Sequence, residues 1–233
     1  MTSPLVGLVT WRGHENDLMR EMVARVAVIV VGLTLFGVGI GALFLADLGV
    51  GPWDVLHDAL AGLLDRQPGT VILGLGVVLL ALLVGLRQPI GLATLANVAI
   101  VGTTVNVLLA VVDTPSAMAA RLVLVATAPM VVAFGSMLYI GGGIGIGPRD
   151  GLMTALVDAG LSFRVARTLL EVTVLLVGIV LGGRFGLGTV VFALTVGSAL
   201  QFFRARVWAG YPESPGYVYR RAGSASPGQD AGL

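Results

Sequence analysis

Two stretches of this chain repeat a pattern of residues able to do chemistry. Residues 49–56 read Gly-Val-Gly-Pro-Trp-Asp-Val-Leu, and residues 145–152 read Gly-Ile-Gly-Pro-Arg-Asp-Gly-Leu. In each G-x-G-P-x-D the glycines (Gly49 and Gly51, Gly145 and Gly147) permit backbone conformations closed to other residues and let a neighbour approach closely. Pro52 and Pro148 suit the first turn of a helix, where a missing N–H costs nothing. Asp54 and Asp150 then fall within that first turn, where the helix dipole favours a carboxylate. One reading is architectural: a tight break followed by a well-started helix. The other gives Asp54 and Asp150 a second task as cation or proton ligands on a pathway.

Glu171 lies inside the apolar run 168–181, where a charge is expensive and therefore suspected of function. Arg167, four residues earlier, offers it a structural partner along the helix face. Asn106 and Gln201 sit near the ends of apolar runs and suit hydrogen bonds between helices. Asp47 closes the first apolar run and reads as an interfacial carboxylate. His57 and Asp58 follow the first motif; a lone histidine can sense protons, but no neighbour supplies metal-ligand spacing. His14 and His57 are the sole histidines and Cys is absent, so disulfides and thiolate chemistry are excluded and no Ser/His/Asp set is assembled. Neither a phosphate-cradling G-x-x-x-x-G-K-[ST] nor an H-E-x-x-H occurs. No enzyme, ATP-driven motor, metal or cofactor is expected.

The elements that carry these residues must be solvated by lipid. The chain has 56% hydrophobic and 12% charged residues and a mean hydropathy of +0.96, against roughly 25% charged residues in soluble domains. A helix needs about 20 apolar residues to cross the hydrocarbon. Six runs meet or approach that: 23–46, 70–86, 92–112, 122–140, 165–181 and 187–203. The segments 52–64 and 148–159 are too short to cross and each begins at a G-x-G-P-x-D. No secretory signal pattern is read in residues 1–20, which mix charges ahead of the first run.

All 14 basic residues are Arg. With six spans, eleven of them fall on the side of the termini and three (Arg66, Arg121, Arg184) on the other, so both termini are expected in the cytoplasm. A net charge of +1 implies no nucleic-acid partner.

The two motifs belong to an internal repeat. Ala59 and Leu60 match Ala155 and Leu156 at the same offset of 96 as the motifs. After a slip of one residue, Gly91-Leu92-Ala93-Thr94 matches Gly186-Leu187-Gly188-Thr189, Gly102 matches Gly197, and Asn106 matches Gln201. Each half holds three spans, an odd number, so the second half should sit inverted, with the first motif facing outward and the second inward. Inverted repeats with a broken helix in each half are an arrangement of secondary transporters, whose sites form near the midplane.

The stretch 46–57 with Gly145-Ile146-Gly147-Pro148-Arg149-Asp150-Gly151-Leu152 and Arg167-Thr168-Leu169-Leu170-Glu171-Val172-Thr173 resembles the YczE/YyaS/YitT type of bacterial integral membrane protein, the YczE branch above all, over about residues 22–204. The resemblance implies a multi-span plasma-membrane protein of a largely uncharacterised family and supplies neither substrate nor catalytic residue.

The expectation is an all-α membrane protein with about six transmembrane helices in two inverted three-span repeats, each with a Gly-Pro break and a short non-spanning helix. Residues 1–21 form a cytoplasmic segment, 22–112 and 113–206 the two membrane repeats, and 207–233 a disordered cytoplasmic tail. Function divides between a small secondary transporter or permease for an unknown small molecule or ion and a membrane-embedded accessory or scaffold protein. The bilayer is one expected partner and a second copy of the chain another.

Overall fold

The computed structural model describes residues 4–207; the expected tail lies, apart from Val207, outside them. Eight helices account for the described chain: α1 (Pro4–Ala46), α2 (Pro52–Leu64), α3 (Pro68–Gly85), α4 (Leu92–Val111), α5 (Met118–Gly141), α6 (Pro148–Asp158), α7 (Phe163–Val180) and α8 (Leu187–Val207). No strand occurs among the described residues. The punctuation is local: α2, α3 and α6 each carry Pro at the first helical turn, where proline is best tolerated. Residues 4–21 continue the first helix rather than forming a separate element.

Five helices are long and apolar enough to cross a membrane: α1 from Met22, α3, α4, α5 and α8. The expected span at 165–181 exists as α7, but this 18-residue helix carries Arg164, Arg167 and Glu171. That charge separates it from the other five, and its buried residues are only Ala166 and Gly178.

Helix α1 is the axis. Its span is 61% buried whereas that of α8 is 17% buried, so α1 faces protein and α8 mostly faces outward. The α1–α5 pair is the most extensive contact and carries the centre of the core, with Leu33, Phe36, Ile40 and Leu43 against Ala128, Val132 and Tyr139. The helices approach closely because glycine stands where they cross. A Cβ at Gly135 would come within 2.6 Å of the Gly32 carbonyl, and one at Gly39 would meet the Ala128 carbonyl at 3.0 Å. At the offset of 96, Gly32 corresponds to Ala128 and Gly39 to Gly135, so these are reciprocal versions of one contact.

Other pairings also come in matched sets. Helix α1 packs on α4 as α5 packs on α8, and α2 packs on α7 as α6 packs on α3, so each short helix docks against the other half. One match fails: α3 packs along α4, whereas α7 and α8 do not pack along each other.

Candidate functional site

The starts of α2 and α6 are built alike. Gly49 and Gly145, the first glycines of the motifs, have φ of 103° and 132°, a region open chiefly to glycine. The reversed chain then hydrogen-bonds across the molecule. Gly188 N donates to Leu48 O at 2.8 Å, and in the equivalent place Ala93 N donates to Ile144 O at 3.2 Å. Each receiving helix is capped by its own threonine: Gly186 N donates to Thr189 Oγ1 at 3.2 Å, and Gly91 N to Thr94 Oγ1 at 3.1 Å. Both threonines are buried. The G-L-x-T element is thus the dock onto which the opposite half's break is tied.

The second glycines have ordinary backbone angles, with φ of −59° at Gly51 and −62° at Gly147. Here the need is space. A Cβ at Gly51 would lie 2.8 Å from Asp54 Oδ2, and one at Gly147 would lie 3.2 Å from Tyr139 Oη.

Each motif aspartate then finds a different partner. Asp54, only 2% exposed, sits with its Oδ1 3.0 Å from His57 Nδ1, one turn along the same helix. Asp150 accepts a hydrogen bond of 2.9 Å from the Tyr139 hydroxyl on α5. Between them lies Arg149, with its guanidinium 5.2 Å from the Phe36 ring centre and 5.6 Å from that of Trp53. Trp53 and Arg149 occupy the same place in the two motifs, so equivalent positions of the two halves meet here. A cavity of about 30 Å³ is lined by Asp54, His57, Asn97, Pro148 and Arg149 among apolar neighbours. Its size suits one or a few water-sized groups. The arrangement can hold a small charged group or pass a proton between a carboxylate and an imidazole. Among the described residues no group of three or more His, Asp or Glu side chains could hold a metal ion.

The other sequence candidates are not brought to this place. Glu171 pairs with Arg167 Nε at 3.0 Å, and both side chains are about two-fifths exposed. It is a helix-surface ion pair. Asn106 does bridge helices, donating to Thr70 Oγ1 at 2.9 Å. Gln201, expected to do the same, is exposed on α8. The reason lies in the failed pairing: at the offset of 95 that relates α3 to α7, Thr70 corresponds to Val165, which has no hydroxyl to offer. Gly102 lies within reach of Gly69 and Leu73, while its match Gly197 faces open space.

A second cluster closes one end of the bundle. Arg184, in the α7–α8 turn, bonds Asp58 at 2.7 Å and Asp47 at 2.6 Å, and Arg121 stands 3.7 Å from Asp47. Hydrogen bonding to Asp58, against partial desolvation, raises the Arg184 pKa from its ordinary value. Asp47, expected as an interfacial carboxylate, is thus an ion-pair residue. An open groove of about 480 Å³ beside it is lined by Asp58, Asp65, Arg66 and Leu181; it lies at the bundle end, away from the two motifs.

Sequence reasoning passed over Arg149 as a functional group, counting it only as a topological charge, and passed over Tyr139, Trp53 and Asn97. The available signal was the variable position of the motif itself, where Trp faces Arg.

Comparison with known proteins places this architecture. Residues 23–205 match the family of unknown function DUF6198. The chain belongs to that family. It is 32% identical over 189 residues to an uncharacterised protein of Haemophilus influenzae, covering 81% of this chain and 87% of that one. It is 26% identical over 190 residues to the uncharacterised membrane protein YczE of Bacillus subtilis, covering 79% and 87%. No solved structure matches. With five helices fit to cross a bilayer, this DUF6198 member is a membrane protein of the YczE type.

Proposed function

We propose that the chain is a small secondary transporter whose solute path runs through the polar cavity between the starts of α2 and α6. One observation carries this: Asp54 and Arg149, from repeat-equivalent helix starts, line one cavity among apolar side chains. Ionisable groups inside a membrane protein are costly and mark ion or substrate paths. Broken helices of opposed repeats are where such sites form.

In this reading α7 is the sixth span, shielding its charges as the Arg167–Glu171 pair. The two halves are inverted, which the reciprocal bonds of Leu48 and Ile144 support. The protein lies in the cell membrane with both termini in the cytoplasm, as the arginine distribution supports.

The close glycine packing of α1 against α5 and the smallness of the cavity favour a second reading, an accessory protein with a solid interior. Reconstitution separates the two. Purified protein in liposomes loaded with a pH-sensitive dye is exposed to gradients of protons, sodium, potassium and small anions. A transporter gives protein-dependent flux that Asp54→Asn abolishes while the variant still inserts and accumulates. Absence of any gradient-driven flux from well-folded protein sinks the transport reading in favour of the accessory one.

A further inference from the structure

Arg149 is the arginine that lines the cavity between the motifs. Among the described residues it makes no ion pair and no hydrogen bond, and its contacts are the ring faces of Phe36 and Trp53. Stacking engages the plane of the guanidinium and leaves its in-plane N–H donors free. Arg149 is half-buried, and a partly desolvated cation without hydrogen bonds is set to receive an acceptor. The carboxylates nearby each give one oxygen to another partner, Asp54 to His57 and Asp150 to Tyr139.

Charge balance limits what the cavity takes. Two carboxylates are offset by Arg149 and by the starts of α2 and α6, each worth about half a positive charge. An anion entering such a site adds a negative charge that a proton accompanying it would balance. In the tautomer whose Nδ1–H faces Asp54, the His57 Nε2 is the nitrogen left to accept a proton. Asp54 lies 3.0 Å from His57, Arg149 of α6 lines the same cavity, and Asp58, the next residue on its own helix, is held by Arg184. Helices α3 and α4 bring no charge, and α7 brings Arg164, Arg167 and Glu171 at its periphery.

We propose that the cavity binds a small monovalent anion on the Arg149 guanidinium together with one proton on His57. This rests on the transport reading and makes the cargo an anion carried with a proton. A cavity of about 30 Å³ favours small anions such as chloride or formate.

Trp53, which lies against Arg149, is the natural reporter. In full-length protein with Trp11→Phe and Trp208→Phe it is the sole tryptophan. Its emission is titrated with sodium formate, sodium acetate and sodium chloride at constant ionic strength maintained with sodium gluconate. The expected result is a saturable change that tightens as pH falls, by up to about tenfold per pH unit for a one-proton linkage. Weakly buffered solution should show one proton taken up per anion bound. Arg149→Gln should lose the response and Arg149→Lys should weaken it. His57→Gln should bind only as weakly as the wild type does at high pH, with no pH dependence and no proton uptake. A response that never saturates, or that survives unchanged in folded Arg149→Gln and Arg149→Lys, overturns the proposal. So does a response to sodium or potassium alone. Anion binding without flux in liposomes upholds the site and sinks the transport reading; flux of a cation without anion binding does the reverse.

Discussion

Asp54 and Asp150 hold one position in two related helices, yet Asp54 pairs within its helix and Asp150 with a neighbouring one. The Asp54–His57 couple is nearly sealed from solvent, at 2% and 6% exposure. Removing one member leaves the other buried without its partner, which costs about 1–3 kcal/mol, whereas removing both costs less. Thermal unfolding in detergent should therefore rank Asp54→Ala below the double change Asp54→Ala with His57→Phe. Equal or reversed order would mean that the couple contributes no coupling energy. Arg167–Glu171 stands at the other extreme. An exposed pair is worth about 0–1 kcal/mol, so Glu171→Gln should leave stability and any liposome flux close to wild type. Loss of flux in that variant alone would return Glu171 to the pathway.

At the scale of elements, glycine decides which helices touch. A Cβ at Gly135 would meet backbone, the Gly32 carbonyl and the Phe36 amide both at 2.6 Å, while one at Gly197 meets nothing. Gly135→Ala should therefore force α1 and α5 apart at a cost of about 1–3 kcal/mol. Gly197→Ala should be stabilising, by about 0.5–1 kcal/mol, through helix propensity. Opposite shifts in melting temperature are the expected signature, and similar shifts would refute the packing assigned to the two positions.

For the whole molecule, the ends of the bundle are closed unequally. Arg184 draws Asp47 after α1 and Asp58 on α2 to the α7–α8 turn, with Arg121 of α5 adjoining. In the other half Gln88, beside the equivalent position Pro89, makes a side-chain hydrogen bond of 3.0 Å to Asp158. Arg184→Gln should lower the melting temperature and reduce its salt dependence, because partly exposed ion pairs are screened. The Arg184 shift is upward, so its stabilisation is complete below the ordinary arginine value and fades only above it. Titration of stability near neutral pH should therefore show no step from Arg184, and Arg184→Gln should leave the shape of that profile unchanged. Orientation is tested separately: reporter fusions at Arg206 and in the loop at 113–116 should give opposite signals, and matching signals would overturn the proposed arrangement of the termini.

The sequence by itself determined the elements. Apolar run length, Gly-Pro punctuation and the 96-residue repeat are local or self-comparing signals, and they placed α2 to α8 to within a few residues. They also marked both aspartates and the glycines beneath them. They did not indicate which face of each helix meets protein. In water a polar face and an apolar face distinguish outside from inside; in lipid both are apolar and that periodicity vanishes. Tertiary structure alone therefore brought Arg149 between Phe36 and Trp53, tied Asp150 to Tyr139, and separated α7 from α8. That separation left Gln201 exposed where its match Asn106 bridges two helices. Contacts between halves about 96 residues apart depend on how the helices pack, and no single stretch of sequence carries that information.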